Sequence, residues 1–243
     1  MVRVLKSLSC TDLCQIYLLL HQKLHQKYNF LCKKPSDINE HLPTLYKYAS
    51  ECESIAELGV RGVISTWALL YGLLKNNKEK KTILLNDIVP CNINEVLMQT
   101  QGLDLQVNYE WKNDLHLELK ENVDLTFIDT WHVYGQLRRE LEKFSKVTNK
   151  YIIMHDTTLD EWNGETMRKS PHSMKNMLGR VGGYDYRKNK LVMQQSRESK
   201  IPMQEIMIGL WPAIAEFLLK NKNWRLKERY TNNNGLTILE KIK

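Results

Sequence analysis

Two groups of residues that could bind a ligand each follow an apolar run of the sequence. Glu57, Gly59 and Gly62 follow the first run, and Asp87 follows the second. Glycines at a strand end let the backbone approach a ligand closely, and the helix that follows offers free N–H groups. A carboxylate after the second run can accept hydrogen bonds from ribose hydroxyls. Because Glu57 would repel a pyrophosphate, these residues suit a ligand that carries a ribose and an ammonium group.

A third group of residues could move a proton. Asp129 and His132 follow the apolar run at 123–128, and His155 and Asp156 follow a further run that begins at Tyr151. A neutral imidazole within hydrogen-bond reach of a hydroxyl can take its proton, typically for about a 10²–10⁴-fold gain in rate. If the two runs form neighbouring strands, these side chains leave the same edge of a sheet and can face one pocket.

The elements that must position these residues are strands that alternate with helices. This pattern predicts an α/β fold, with a mostly parallel sheet and helices on both of its faces. The chain closes with a helix and an antiparallel hairpin, whose Asn-rich turn at 232–235 supplies positive φ angles. The strands are expected at 54–58, 82–85, 105–109, 123–128, 151–154, 225–230 and 236–241, and the main helices at 65–75, 134–144 and 210–219.

Two helical patterns precede this alternation, one starting at Thr11 and one at 39–50. We therefore expect residues 1–50 to form an N-terminal helical extension and residues 51–243 to form the α/β domain. The apolar stripe of the first helix is typical of packing or of a homo-oligomer contact.

The segment 157–205 is polar and rich in glycine and proline, so we expect an irregular lid or substrate loop there. Trp162, Arg168 and Tyr184 lie in this segment and are its candidate substrate contacts.

Composition excludes several classes of protein. The chain has 243 residues, 42% of them hydrophobic, which is enough to fold and argues against a disordered or collagen-like chain. No stretch has the length and apolarity of a membrane span or a secretory signal. Five cysteines without framework spacing favour a reducing compartment, so we expect a soluble, cytoplasmic protein. The net charge of +7 does not by itself identify a partner, and nucleic acid is not the expected one.

Glu57-x-Gly59-x-x-Gly62, Asp87 and the closing hairpin together resemble a class I S-adenosylmethionine-dependent methyltransferase. That resemblance implies a Rossmann-like fold with a mostly parallel seven-stranded sheet and an antiparallel C-terminal hairpin. The more specific resemblance is to the cephalosporin-hydroxylase-like and macrocin-type sugar O-methyltransferases, and it covers about residues 35–243. The segments that carry it are 127–134, 152–157, 209–214 and 233–237.

The resemblance implies S-adenosyl-L-methionine as the cofactor. The first-strand residues would hold its methionine end, the second-strand carboxylate its ribose, and the pair after the third strand would lie beside its adenine. These cofactor residues are Glu57, Gly59, Arg61, Gly62, Asp87, Asn113 and Asp114.

The resemblance also implies a divalent cation and a base in the third group. Asp129, His155 and Asp156 would be cation ligands, and His132, with Asp129 beside it, would be the catalytic base. His155 stands where metal-dependent relatives have a carboxylate. The lower negative charge shifts the expected cation from Mg²⁺ towards Mn²⁺.

These features predict an O-methyltransferase for a sugar hydroxyl, on a free sugar, a nucleotide-linked sugar or a glycan. Three alternatives stay open. A nucleic-acid methyltransferase would suit the charge, but the segment 129–132 lacks the prolines that base N-methyltransferases carry there. A catechol-type enzyme would carry Asp-Asn in place of His155-Asp156. A non-catalytic protein of the same fold would bind a glycan or a partner.

Overall fold

The computed structural model describes residues 10–76, 80–169 and 189–242. The chain divides into two compact units, residues 1–112 (the first unit) and residues 113–243 (the second unit). The N-terminal helices and the first three strands therefore belong to the same unit. Its elements are α1 (Cys10–Lys33), a 3₁₀ turn (Asn39–His41), α2 (Leu42–Ala49), β1 (Ser54–Leu58), α3 (Ile64–Leu73), β2 (Thr82–Asp87), α4 (Asn94–Thr100) and β3 (Gln106–Trp111).

The strands of the first unit are parallel. In the register, Ser54 of β1 lies opposite Thr82 of β2, and Thr82 lies opposite Gln106 of β3. Four of the five residues of β1 are buried, as expected for a strand covered on both faces. Helix α3 is also buried all round, over residues 65–73, which explains its lack of a polar face.

Helix α3 packs closely against α2, and a glycine makes this approach possible. A Cβ atom at Gly72 would lie 2.5 Å from the carbonyl oxygen of Tyr46 and 2.6 Å from Cβ of Ala49. No side chain therefore fits at residue 72 unless the two helices move apart.

The second unit contains the remaining strands. β4 pairs with β5 in parallel, while β7 pairs with β5 and β6 in antiparallel fashion. The predicted closing hairpin is thereby confirmed. The elements of this unit are a 3₁₀ turn (Asp114–His116), β4 (Val123–Ile128), α5 (Tyr134–Phe144), β5 (Thr148–His155), α6 (Glu165–Lys169), α7 (Lys190–Ser199), α8 (Met203–Met207), α9 (Leu210–Lys220), β6 (Trp224–Tyr230) and β7 (Leu236–Lys241).

The seven strands form one sheet in the order β3-β2-β1-β4-β5-β7-β6. The sheet is mostly parallel and ends in the antiparallel hairpin, so the predicted fold class is confirmed. No helix in the described part of the chain combines the length and the apolarity needed to cross a bilayer.

The prediction of irregular structure throughout 157–205 is wrong, because α6, α7 and α8 form there. These helices have few apolar residues. Those residues form a core only by packing against a residue at the start of α5. Val192, Ile201 and Ile206 pack with Val133 into a buried core cluster. In such short, polar helices, the apolar residues are too few to predict a helix from the sequence alone. Residues 170–188, including the candidate substrate residue Tyr184, lie outside the described residues.

Helix α1 has both buried and exposed apolar side chains. Leu24 and Leu31 are buried, whereas Leu18, Leu19 and Phe30 are each more than half exposed. The predicted homo-oligomer contact through this helix stays a prediction.

The close approach of α2 and α3 predicts an inverted effect of a glycine substitution. In an unhindered helix, Gly→Ala raises stability by about 1 kcal/mol. We expect Gly72→Ala to lower the free energy of unfolding by about 1–3 kcal/mol instead, because the methyl group overpacks the interface. Urea denaturation followed by circular dichroism measures this change. Met98→Ala, at a 72% exposed position of α4, is the control and should change it by less than about 0.5 kcal/mol. A stabilised Gly72→Ala protein would contradict the packing.

Candidate active site

Glu57 ends β1 as a fully buried carboxylate. It accepts hydrogen bonds from the hydroxyls of Ser65 and Thr66 in the first turn of α3, the second at 2.7 Å. This carboxylate therefore fixes the end of β1 to the start of α3. Its predicted contact with the methionine end of a cofactor stays a prediction.

The loop at residues 59–63 (the β1–α3 loop) has an unusual backbone. Gly59, Arg61 and Val63 have φ angles of 88°, 38° and 60°, in the left-handed region. A β-branched residue there is strained, typically by about 1–3 kcal/mol, and such strain is common at ligand sites. Gly62 is different: a Cβ atom there would lie 3.9 Å from its nearest neighbour, Ile64, so packing does not require a glycine.

Asp87, at the end of β2, is buried and holds the β1–α3 loop by its carboxylate. One oxygen accepts hydrogen bonds from the backbone N–H groups of Val60 (3.0 Å) and Arg61 (2.8 Å). The other accepts from the N–H of Val89 at 2.9 Å. The predicted contact of Asp87 with the ribose of a cofactor stays a prediction.

Arg61 itself is exposed, and its guanidinium forms an ion pair with Asp37.

In the second unit, Asn113 accepts a hydrogen bond from the N–H of Leu115 and so caps a 3₁₀ turn. Asp114 is buried and accepts from Gln136 Nε2 at 3.1 Å. Burial raises the pKa of Asp114, and it raises that of its neighbour Glu140 well above the usual range. Asp114 therefore serves the interior of the second unit, and its predicted adenine contact stays a prediction.

The carboxyl ends of β4 and β5 bring the proton-moving residues together. Asp129 follows β4, and its Oδ1 lies 3.2 Å from Nε2 of His132. His155 ends β5, and Oδ2 of Asp156, the next residue, lies 3.1 Å from Nδ1 of His132. Asp160 Oδ2 lies 3.2 Å from the same nitrogen. We call these five residues the His132 cluster.

Three members of the His132 cluster are arranged as a metal site would be. The ligand atoms of Asp129, His132 and Asp156 all lie within 4.8 Å of one another. Two hard carboxylates and one imidazole are a suitable donor set for Mn²⁺ and similar cations. Asp156 also has a strained φ of 57°, and its buried Oδ1 has no hydrogen bond within the described residues. These features fit a divalent cation.

His155 does not belong to that set of three. Its Nδ1 lies 3.5 Å from Asp129 and 3.6 Å from Asp156, while its Nε2 faces the carbonyl oxygen of Asn233 at 3.3 Å. The turn between β6 and β7 therefore contacts one of its two nitrogens. The predicted role of His155 as a cation ligand stays a prediction.

Asp160 is a member of the cluster that the sequence reasoning missed. It is 1% exposed, and the guanidinium of Arg168 binds it through Nε at 3.1 Å and Nη2 at 2.7 Å. In the sequence, only its spacing of four residues from Asp156 could have indicated that it belongs to the cluster. Arg168, a candidate substrate contact, therefore forms an ion pair with Asp160. Trp162, another candidate substrate contact, is 61% exposed.

The carboxylates determine the charge of His132 in the metal-free protein. Burial lowers its pKa, but hydrogen bonds to Asp129 and Asp160 outweigh burial and raise the pKa to about 10. Burial would raise the pKa of Asp129, yet His132 and His155 hold it well below its usual range. Without a metal, His132 is therefore positively charged at neutral pH and cannot accept a proton.

This charge predicts how stability depends on pH. The folded pKa of His132, about 10, exceeds the ordinary value of 6.5, so its stabilisation is complete below pH 6.5 and lost as the pH rises through 10. With EDTA present, the difference in unfolding free energy between the wild type and His132→Gln should shrink from pH 7 to pH 10. Urea denaturation at each pH measures it. His116→Gln, at an exposed histidine, is the control. A difference that grows with pH would refute the charged state.

No protein-family model matches the chain, and no curated protein matches its sequence. Solved structures match its fold. The O-methyltransferase TomG from Streptomyces achromogenes, involved in tomaymycin synthesis and solved with SAM, is 11% identical with a TM-score of 0.52, over 92% of this chain and 90% of that one. The SAH-bound methyltransferase PaMTH1 from Podospora anserina is 11% identical with a TM-score of 0.50, over 97% of both chains. The chain therefore has the Rossmann-like fold of class I methyltransferases.

Proposed function

We propose that the protein is an S-adenosylmethionine-dependent O-methyltransferase that acts on a hydroxyl of a sugar. The sugar would be free, nucleotide-linked or part of a glycan. The observation that carries the proposal is the grouping of Asp129, His132 and Asp156, with ligand atoms within 4.8 Å of one another at the ends of β4 and β5. In an α/β sheet, ligands bind at these strand ends.

The β1–α3 loop supports the cofactor assignment. Gly59 has a left-handed φ of 88°, a conformation that favours glycine. The open space at Gly62 lets a ligand approach the backbone. The carboxylate of Asp87, at the end of β2, is a suitable acceptor for a ribose hydroxyl. The guanidinium of Arg61 is a suitable partner for the methionine carboxylate, which would share it with Asp37. The two solved structures of the same fold, one with SAM and one with SAH, support the same cofactor class.

Methyl transfer needs an acceptor oxygen that has lost its proton. The β1–α3 loop and Asp87 would hold S-adenosylmethionine, which when bound would supply an electrophilic methyl group and depart as S-adenosylhomocysteine. Positioning the two reactants can be worth about 7–11 kcal/mol of the barrier. Residues of the His132 cluster would orient and activate the hydroxyl.

Two ways of activating that hydroxyl use His132 differently. In the first, Asp129, His132 and Asp156 would hold a divalent cation, which when bound would lower the pKa of the hydroxyl. In the second, a neutral His132 takes the proton as a base. The geometry favours the first, because the ligand atoms of Asp129, His132 and Asp156 lie within 4.8 Å of one another. The proposal therefore assigns His132 to cation binding.

A sugar acceptor is supported by the resemblance to sugar O-methyltransferases and by Trp162. The side chain of Trp162 is 61% exposed and lies two residues after Asp160 of the His132 cluster. An exposed aromatic ring offers an apolar face together with a polar edge, which suits contact with a sugar ring. Tyr184 stays a further candidate for this contact.

Calorimetric titration with S-adenosylhomocysteine tests the cofactor assignment. Asp87→Ala should weaken binding by about 10–100-fold, because it removes a charged acceptor and frees the backbone of residues 60 and 61. His132→Ala should bind as the wild type does, since His132 is not one of the proposed cofactor contacts. A wild-type protein that does not bind S-adenosylhomocysteine would contradict the proposal.

Turnover with and without EDTA tests the role of His132. Methyl transfer to rhamnose, other deoxysugars and their nucleotide-linked or glycan forms should stop in EDTA and return with Mn²⁺. His132→Ala should lower turnover with Mn²⁺ by at least about 10-fold, as loss of metal affinity or activity. Turnover that survives EDTA and rises from pH 7 to pH 10 would instead make His132 the base. No transfer to any of these acceptors would overturn the sugar assignment.

A further inference from the structure

We infer that Asp160 is a positioning residue for His132. Arg168 holds Asp160 in place, and Asp160 orients the ring of His132 so that Nε2 is the nitrogen that binds the proposed cation. The inference rests on the proposed function for its consequence in catalysis. Its structural content, a hydrogen bond from the Nδ1–H of His132 to Asp160, is independent of any substrate.

The ring of His132 has two nitrogens with different surroundings. Nε2 lies 3.2 Å from Oδ1 of Asp129, a residue of the proposed cation set. Nδ1 lies 3.2 Å from Oδ2 of Asp160, which is not in that set. A histidine that binds a metal through one nitrogen almost always donates the other N–H to a carboxylate or a carbonyl. Asp160 is in the place that this arrangement requires.

Asp160 has few ways to move. The guanidinium of Arg168 binds both of its carboxylate oxygens, at 3.1 and 2.7 Å. Its backbone N–H donates to the carbonyl of Asp156 at 3.1 Å, and its own carbonyl accepts from the N–H of Leu210 at 2.9 Å. A side chain at Gly209 would collide with that carbonyl, so the start of α9 packs directly on it. Both ends of the residue are therefore fixed.

Two other carboxylates near Nδ1 do not replace Asp160. Asp156 lies at 3.1 Å from Nδ1, but it belongs to the proposed cation set, so its carboxylate would be a ligand of the cation. Glu165 lies at 3.8 Å from Nδ1, beyond hydrogen-bond distance, and its Oε2 accepts instead from the backbone N–H of His132 at 3.3 Å. Asp160 is thus the partner that remains when the cation binds.

Mn²⁺ affinity tests the inference without any turnover. Asp160→Asn keeps the size of the side chain and removes its charge, and it should lower the affinity for Mn²⁺ by about 10–100-fold in calorimetry. Glu165→Gln is the matched control, because it removes the same charge at 3.8 Å without breaking a bond to the ring. Its affinity loss should be much smaller. Equal losses in the two variants would mean that charge alone matters, and would overturn the positioning role.

Proton NMR of the metal-free protein in EDTA tests the hydrogen bond directly. The wild type should show a strongly downfield Nδ1–H signal from His132, assigned by its absence in His132→Gln. That signal should move upfield in Asp160→Asn and stay in place in Glu165→Gln. An unchanged signal in Asp160→Asn would refute the contact. Since this measurement needs neither cofactor nor acceptor, a failure of methyl transfer would count against the proposed function alone.

Discussion

The burial of several negative charges around one imidazole is the constraint on which the second unit depends. The side chains of Asp129, Asp156 and Asp160 are at most 17% exposed, and all three lie within about one hydrogen bond of His132. Carboxylates buried without partners are strongly destabilising. A positive charge must therefore be present among them, as a proton on His132, as Arg168 or as a bound cation. The identity of that charge decides whether the cluster can activate a hydroxyl.

The closing hairpin is part of the same arrangement. The carbonyl oxygen of Asn234 accepts hydrogen bonds from the N–H groups of Thr158 and Leu159, both at 2.9 Å. Gly235 has a φ of 93°, and any side chain there would collide with Thr158. The turn after β5 therefore rests directly on the turn of the hairpin, and Asp156 keeps a left-handed φ of 57° within it. The hairpin thus contributes to the geometry of the site as well as to the edge of the sheet.

Carboxylates at strand ends act on the backbone in the first unit. Glu57 ties β1 to α3 through two hydroxyls, and Asp87 holds the β1–α3 loop through the N–H groups of Val60 and Arg61. The loop keeps strained φ angles, Val63 among them, because these bonds over-determine its path. A ligand would meet a preformed loop there, which lowers the entropy that binding must offset. In the second unit, by contrast, the carboxylates contact side chains that can carry a proton.

The sequence by itself determined the order of the elements and the strand ends that carry chemistry. The strands at 54–58, 123–128 and 236–241 were predictable to the residue, because buried apolar runs are bounded by polar or glycine positions. Only the tertiary structure brought Asp160 to His132 across 28 positions, and only it charged the imidazole through its buried carboxylates. Local pattern records which residues are apolar, whereas a hydrogen bond or a pKa depends on neighbours that distant parts of the chain supply.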